Sequence, residues 1–406
     1  MDTQSEDILR VWQQRSLWLA VAGLVLSAML TWQEPDLVWR AYLFAFIACW
    51  LLTMGATGLL ALGNLTGGRW ATFGRPFYLS ATQLLPHVAV LFIPIALCLE
   101  RIYPWAATHT GTEHALAPAK AVYLEPSFFM MRAVGYFVVW LVVGTLLARV
   151  SRFDVPAAER PGMSRVGALS LVLLVPTTTF AAFDWGMSLE PEWYSSIYGA
   201  VATAAGVLAA QALAIYTASR LPAARLARIL TLAGVDTAGE HEYRVSHSAD
   251  EPVAVPRFQR SVIDVFHDQG NLQLAFLMVT MYFAFSQFLI IWSGNLPTEI
   301  TWYMRRLRGG WQVVALGLVL LHFAVPFLLS FSRDVKRSPR RLARVALLVL
   351  AMYDVHIYWM IVPAFATGGL RWHATNVAAL AALGGLWMML YCWNTRRNLG
   401  RFPTND

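Results

Sequence analysis

The chain has 406 residues, of which 57% are hydrophobic and 14% are charged, and its formal net charge is +7. This balance excludes a water-soluble globular protein, because so few charged side chains could not cover a surface of that size. The positive charge does not indicate nucleic-acid binding, since the basic residues lie in short segments beside apolar stretches.

About ten apolar stretches are long enough to cross the hydrocarbon core of a bilayer, which takes about 20 residues of helix. In chain order the predicted spans are roughly 17–33, 41–63, 80–99, 127–148, 166–186, 197–219, 271–293, 310–331, 342–364 and 375–393. The chain begins with polar and acidic residues, and no small-residue cleavage site follows the first apolar stretch, so that stretch is expected to stay as the first span. Residues 1–406 are therefore predicted to form a single all-α, polytopic membrane domain.

The distribution of Lys and Arg predicts the orientation. If the N-terminus is cytoplasmic, about 23 of these residues lie in cytoplasmic segments and about 7 on the other side, which predicts both termini inside. The longest segment between spans, 220–269, joins the sixth and seventh spans. It is too short for a catalytic domain and is predicted to be a cytoplasmic loop with some helix.

Cysteine and histidine spacing does not indicate a redox centre or a metal site. Cys49, Cys98 and Cys392 all fall in predicted spans and form no CxxC pattern. No predicted span contains more than one histidine, whereas a membrane cytochrome b usually carries two on one helix. We therefore expect no haem, iron–sulfur cluster, copper or zinc in this chain.

Ionisable residues within spans need a partner or a function, because burying a charge in the bilayer costs a few kcal/mol. Asp354 and His356 lie about 18–21 Å into the ninth span, and His322 reaches a similar depth in the eighth. The three side chains could form one mid-membrane cluster that relays protons, or hydrogen-bonded pairs that fix helix packing. Asp354 and His356 are two residues apart and do not share a helix face, which weakens a direct relay between them.

Two further sites within spans can also be interpreted either as functional or as structural. Arg132 begins the fourth span and Asp184 ends the fifth, both toward the outer side, so they could form an ion pair that clamps this hairpin. The alternative is a polar lining for an outer half-channel or a quinone headgroup pocket. His87 follows Pro86 in the third span, where the proline could kink the helix beside a polar cavity. A packing hydrogen bond is the simpler role for this histidine.

Just before the seventh span, spacings of three and four residues put Asp264, His267 and Asp268 on one helical face at the cytoplasmic side. The cluster could collect protons from the cytoplasm. It could equally be a solvated helix start, where acidic residues are favoured by the helix dipole.

Two predicted outer segments carry specific motifs. One reads Phe183-Asp-Trp-Gly-Met-Ser-Leu-Glu-Pro-Glu-Trp-Tyr-Ser-Ser196, and the other runs from Ser286-Gln-Phe-Leu-Ile-Ile-Trp-Ser-Gly-Asn-Leu-Pro297 to Tyr303. Together with His267-Asp-Gln-Gly-Asn271 and His322-Phe-Ala-Val-Pro326, they resemble the ActF membrane subunit of bacterial alternative complex III. The resemblance covers roughly residues 35–395.

The resemblance implies an NrfD-like fold, in which spans 2–5 and 6–9 form two four-helix bundles flanked by spans 1 and 10. It also implies a subunit of a quinol:cytochrome c (or other acceptor) oxidoreductase in the bacterial cytoplasmic (inner) membrane. Such a subunit supports assembly and is proposed to provide part of a proton path. Haems and iron–sulfur clusters would belong to partner subunits.

The implied partners are a multihaem cytochrome, an iron–sulfur protein, a second NrfD-like subunit with the quinol site, membrane lipid and, in some complexes, a terminal oxidase. Menaquinone or ubiquinone would be the quinone of the complex, and nucleic acid is not an expected partner. Two alternatives stay open. Pro94, Pro176, Pro326 and Pro363 could break helices as in a secondary transporter, and the chain could be a purely structural scaffold.

Overall fold

A computed structural model of the chain describes residues 3–106, 118–151, 162–222, 257–366 and 368–400, with isolated positions between 225 and 255. Within these ranges, ten helical segments are long and apolar enough to cross a membrane. The ten spans are Ile8–Thr31, Pro35–Thr66, Arg69–Leu97, Pro126–Val150, Met163–Leu189, Tyr198–Ala218, Val262–Gly294, Trp311–Phe331, Pro339–Ala364 and Ala374–Gly400. The predicted all-α, ten-span membrane architecture is confirmed at this level.

The spans are built from helices that we number in chain order. The helices before the sixth span are α1 (Thr3–Thr31), α2 (Pro35–Thr66), α3 (Arg69–Thr82), α4 (Leu85–Leu97), α5 (Leu99–Ile102), α6 (Pro118–Tyr123), α7 (Pro126–Val150) and α8 (Met163–Trp185). The later ones are α9 (Tyr198–Ala218), α10 (Arg257–Gly294), α11 (Pro297–Arg306), α12 (Trp311–Gly317), α13 (Val325–Phe331), α14 (Arg333–Lys336), α15 (Pro339–Ile361) and α16 (Ala374–Gly400). Single 3₁₀ turns cover Pro104–Ala106, Met187–Leu189 and Val362–Ala364.

Two spans are interrupted at a proline. The third span breaks between α3 and α4, and Pro86 lies in the first turn of α4, where its missing backbone N–H costs nothing. The eighth span contains a π-helical segment, Leu318–Ala324, between α12 and α13, and Pro326 follows in the first turn of α13. A π segment adds a residue to the helical turn and is frequent at functional sites.

The seventh span begins earlier than the sequence suggested. Helix α10 starts at Arg257, inside the predicted 220–269 loop, so Asp264, His267 and Asp268 belong to the helix itself. Polar residues are tolerated at this end because Gln269 and Gln273 are buried against other helices rather than exposed to lipid. Two short strands, β1 (Tyr243–Val245) and β2 (Val253–Val255), pair antiparallel within the same predicted loop.

Contacts between loops define two ends of the bundle. At one end, Arg69 contacts Asp268 and Lys336 contacts Asn271, and we call this the basic end. At the other end, Trp193 stacks on Trp302, and we call it the aromatic end. The N-terminal part of α1 lies at the basic end, since Arg396, near the C-terminal end of α16, donates a hydrogen bond to Gln13.

Helices α2 and α9 form the centre of the molecule, where most of their residues are buried. Their backbones approach closely at Gly55 and Gly206, because a Cβ placed on Gly55 would lie 2.1 Å from the carbonyl oxygen of Gly206. Small residues at such a crossing give membrane helices their close packing, since lipid supplies no hydrophobic force to drive helices together.

The other helices pack around this centre. The second to fifth spans contact one another through α2, α3, α4, α7 and α8, and the sixth to ninth through α9, α10, α13 and α15. Helix α1 lies along α16, where Gly23 and Gly385 let the two backbones meet. A Cβ on Gly23 would lie 2.4 Å from the backbone nitrogen of Ala382. Helix α1 is otherwise largely exposed on the outside of the bundle.

Candidate functional site

Arg132 and Asp184 form a bidentate ion pair at the aromatic end. The Nε and Nη2 atoms of Arg132 donate to the two carboxylate oxygens of Asp184 over 2.9 and 3.0 Å, and Tyr136 donates to Asp184 over 2.9 Å. Arg132 also donates to the Tyr123 carbonyl, and its guanidinium lies over the Tyr123 ring. The pairing expected from the sequence is confirmed. Every oxygen of Asp184 is occupied, which favours a structural clamp over a site that binds a ligand.

A second ionic cluster at the same end centres on Glu190. Its carboxylate oxygens lie 2.7 Å from Arg306 Nη2 and 3.1 Å from Arg305 Nη1. Arg306 is almost fully buried and donates to the carbonyls of Trp302, Trp359 and Met360. Burial lowers the pKa of the Arg306 guanidinium, and the charge of Glu190 opposes this shift.

The two long motifs meet in this cluster. Trp193 from the first motif stacks on Trp302 with 4.9 Å between ring centroids, and its indole Nε1 donates to the Glu299 carbonyl. Trp302 in turn packs edge-on against Trp359. The segments following α8 and α10 are therefore joined through a buried aromatic contact.

His322 and His356 lie face to edge in the interior, with 5.5 Å between their ring centroids. His322 is held by the π-helical segment and His356 by α15, and both are buried. Both ring nitrogens of His322 and the Nδ1 atom of His356 lack a hydrogen-bond partner among the described residues. Nitrogens without partners in a buried site are costly, so this pair is not the satisfied packing contact that one alternative expected.

We expect the His322→Leu substitution to leave the free energy of unfolding unchanged within about 1 kcal/mol, or to raise it. The leucine fills similar space and removes two buried nitrogens that make no hydrogen bond. Thermal unfolding of the purified protein in detergent measures this effect. A loss of more than about 2 kcal/mol would show that the imidazole has a stabilising partner.

Asp354 does not join the two histidines. Its carboxyl lines a cavity of about 640 Å³ between α1, α2, α9, α15 and α16, whereas His356 faces the π-helical segment. The sequence hypothesis of one shared cluster is therefore wrong for Asp354, because two residues along a helix turn its side chain to the other face. Asp354 is half-buried, and no described residue forms a hydrogen bond or ion pair with it.

The cavity extends from the basic end toward Asp354, and we call it the Asp354 cleft. Near the basic end its wall includes Trp12 and Tyr216, which stack with 5.5 Å between ring centroids, and Arg15. Asp354 is fifteen residues into α15, roughly 22 Å from the basic end of that helix and about 10 Å from its other end. The cleft thus reaches a carboxyl group deep within the membrane.

A chain of buried polar side chains also begins at the basic end, close to the cleft. Tyr78 donates to Gln211, Gln211 donates to Gln269 over 2.7 Å, and Gln269 donates to the Trp70 carbonyl over 3.0 Å. Gln273 lies one turn along α10, buried, with no partner for its amide among the described residues. Since Gln211 lies seven residues from the end of α9, the chain reaches about 10 Å into the membrane.

Two of the three residues on the helical face predicted from Asp264, His267 and Asp268 make separate contacts. Asp268 forms an ion pair with Arg69 at 3.1 Å, and the His267 ring contacts Asn271 at 3.3 Å. All three residues are half-buried at the basic end. Nearby, Lys336 donates to Asn271, and partial burial beside Arg333 lowers the pKa of the Lys336 ammonium. These residues form a charged surface beside the polar chain, which agrees with either interpretation from the sequence.

His87 is not brought to any of these clusters. Its side chain is exposed on the outside of the bundle, because the break before Pro86 directs the first turn of α4 outward while Leu85 and Val88 face the interior. We therefore leave His87 out of the candidate proton path.

Sequence reasoning missed the amide residues because it considered only ionisable side chains as candidates, and it used Arg306 only to predict the orientation. Gln211 stands in an otherwise apolar span, and a search for any polar residue within a span could have found it. Nothing in the local sequence indicated that Arg306 turns inward to Glu190, which lies over a hundred residues earlier.

Within the described ranges, no group of three or more His, Cys, Asp or Glu side chains is arranged to hold a metal ion. No protein-family model matches the chain, and a search of the curated proteins finds no significant relative.

Proposed function

We propose that this chain is a membrane subunit of a bacterial quinol-oxidising respiratory complex that passes electrons to cytochrome c or another acceptor. In that complex it supports assembly and provides part of a transmembrane proton path, while partner subunits carry the haems and iron–sulfur clusters. The proposal rests on the two motifs that resemble ActF and on the placement of the buried polar groups.

The observation that carries the proton path is the carboxyl of Asp354, which lines a cleft and has no partner among the described residues. An acidic group at this depth that is not paired with any described residue is costly to keep ionised. A purely structural carboxyl would be paired, as Asp184 and Glu190 are. A group that exchanges protons must instead stay reachable, and the cleft provides the route.

The path that we propose starts in the cytoplasm. The excess of Lys and Arg supports a cytoplasmic basic end, so the cleft would admit protons from that side. His356 lies two residues beyond Asp354, on the opposite face of α15, and it contacts His322. Because Asp354 and His356 lie on opposite faces of α15, protons would pass around the helix from the carboxyl to the imidazoles, without direct contact between the two side chains. The π-helical segment, which holds His322, is the element that would rearrange to open this route.

The aromatic end would face the partners. Tyr194 and Trp292, from the two motifs, are exposed at the end that the charge distribution places outside, where the electron-carrying subunits of such a complex would dock. The proposed quinone is menaquinone or ubiquinone, oxidised in the complex outside this chain.

The test is the Asp354→Asn substitution in the assembled complex. We expect quinol oxidation to continue while proton uptake from the cytoplasmic side falls about a hundredfold or more, because asparagine cannot carry a proton. Proteoliposomes with a pH-sensitive dye on each side measure both rates. The matched control is Asp36→Asn, at an exposed acid in the first turn of α2.

Unchanged uptake by the Asp354→Asn complex would remove Asp354 from the path. Absence of multihaem and iron–sulfur subunits after purification in mild detergent would contradict membership in the complex. The two results are independent, so the assembly and the proton path can fail separately.

A secondary transporter is the second candidate, because two spans are interrupted near polar groups, at Pro86 and in the π-helical segment. Purification distinguishes it from the first candidate. A chain that purifies alone and moves a solute in liposomes, with transport lost in Asp354→Asn, would favour the transporter.

A further inference from the structure

A cavity of about 450 Å³ with both polar and apolar lining residues lies at the aromatic end, away from the Asp354 cleft. It is enclosed by the turn between α1 and α2, the start of α2, and the segment that joins α15 to α16. Its polar lining residues are Glu34, Arg40, Arg371, His373, Thr375 and Asn376. None of these residues belongs to the proton path proposed above.

No residue that the structure describes forms an ion pair with either arginine on this cavity. The Nε atom of Arg40 is sealed from solvent without a hydrogen-bond partner, and its guanidinium lies 5.2 Å from the Phe365 ring centroid. Arg371 forms no hydrogen bond or ion pair with any residue that the structure describes. Among the described lining residues, Glu34 is the one carboxylate, and it contacts His373 at 3.9 Å. The cavity therefore carries an excess of positive charge.

Two other features of the cavity also favour an anion. The Thr375 side chain is 3% exposed, and its hydroxyl has no partner among the described residues. Thr375 and Asn376 lie in the first turn of α16, a 27-residue helix, so the positive end of the helix dipole faces the cavity. A buried donor without an acceptor costs about 1–3 kcal/mol, which an anionic oxygen placed there would offset.

The cavity walls are held in place. The backbone N–H of Leu370 donates to the Gly309 carbonyl over 2.7 Å, and a Cβ on Gly309 would lie 2.9 Å from the Gly369 Cα. This contact pins the segment before α16 to the loop before α12. Trp372 stacks on Tyr358 with nearly parallel rings. A site with fixed walls binds without a large ordering cost.

The position of the cavity indicates the source of the anion. It lies where the first, second, ninth and tenth spans end, which is the level of the lipid headgroups. Trp32 and Trp372 are 93% and 75% exposed beside it, as expected for an interfacial aromatic belt. Guanidinium groups match the oxygens of a phosphate in a planar, bidentate geometry.

We propose that this cavity binds the phosphate of one anionic phospholipid from the outer leaflet, held by Arg40, Arg371 and the first turn of α16. The acyl chains would lie against the exposed apolar surface of α1 near Met29. A free phosphate ion presents the same oxygens as the phosphate of a lipid headgroup, and the experiment distinguishes the free ion from the lipid.

The experiment is native mass spectrometry of the full chain, delipidated in detergent and titrated with phosphatidylglycerol. We expect the Arg40→Gln/Arg371→Gln double variant to lose the tightest lipid adduct, with affinity lowered about tenfold or more. The matched control is Arg308→Gln, at an exposed arginine of the same end that should leave the adduct unchanged. Arg371→Lys should keep part of the affinity, since lysine retains the charge without the bidentate geometry.

Three results would overturn the proposal. The double variant could bind phosphatidylglycerol as the wild type does, or the Arg308→Gln control could lose the lipid equally. Inorganic phosphate could also raise the unfolding temperature of the wild type as much as phosphatidylglycerol does, which would assign the cavity to a free ion. Unfolding scans without lipid check that the double variant is folded, and the readout requires no quinol activity.

Discussion

The Glu190→Gln variant should lose about 3–5 kcal/mol of its free energy of unfolding. The substitution keeps the shape of the side chain but leaves the Arg306 guanidinium without a counter-charge in a site where only 1% of that arginine is exposed. The carbonyls that also accept from Arg306 reduce the cost without neutralising the charge. Because Glu190 joins the segments after α8 and α10, the whole aromatic end should loosen.

A thermal scan that follows intrinsic tryptophan fluorescence measures this loss, since Trp193 and Trp302 are buried at this end and become exposed on unfolding. The matched control is Glu100→Gln, at an exposed glutamate in α5, which should change stability by less than about 0.5 kcal/mol. Equal unfolding temperatures for the two variants would mean that the Glu190 pair contributes no stability.

Replacement of Gly55 by alanine should destabilise the protein by about 3 kcal/mol or more, against the ordinary preference of helices for alanine. A Cβ at this position would lie 2.1 Å from the carbonyl oxygen of Gly206, and a backbone atom cannot move aside as a flexible side chain can. Helices α2 and α9 would have to separate, and both central faces would lose their packing.

Gly58, three residues along the same helix, is the control, because a Cβ there meets no atom within 4 Å. Gly58→Ala should stabilise the protein by up to about 1 kcal/mol through helix propensity alone. Both substitutions add one methyl group to the same helix. If they change the unfolding temperature in opposite directions, the difference is due to the close approach of the two helices at Gly55. Changes of the same sign would contradict this account of the crossing.

The two kinds of ionisable residue in this protein differ in how they are satisfied. Asp184 and Glu190 at the aromatic end are fully paired with arginines, and we assign them to structure. Asp354 and the histidine pair have no such partners among the described residues, and the proposed proton path therefore uses them. The contrast within one chain is the reason for choosing Asp354 rather than Asp184 as the proton-carrying group.

Several elements were predictable because they depend on composition along the chain. The ten spans follow from stretches of apolar residues, and their number agrees with the structure even where their ends differ. The Arg132 and Asp184 pair was also predictable, because a short hairpin places the two ends of adjacent spans side by side. The start of α10 was not, since its first turns are polar and carry no hydropathy signal.

The sequence by itself determined that the protein lies in a membrane, how many times it crosses and which few polar residues enter the apolar interior. Only the tertiary structure decided where those residues point. In the tertiary structure Asp354 lines a cleft, His356 contacts His322, and Arg306 pairs with Glu190. Hydropathy is a sum over consecutive residues, whereas a contact depends on the rotation of each helix, and that rotation is set by close crossings such as the one between Gly55 and Gly206.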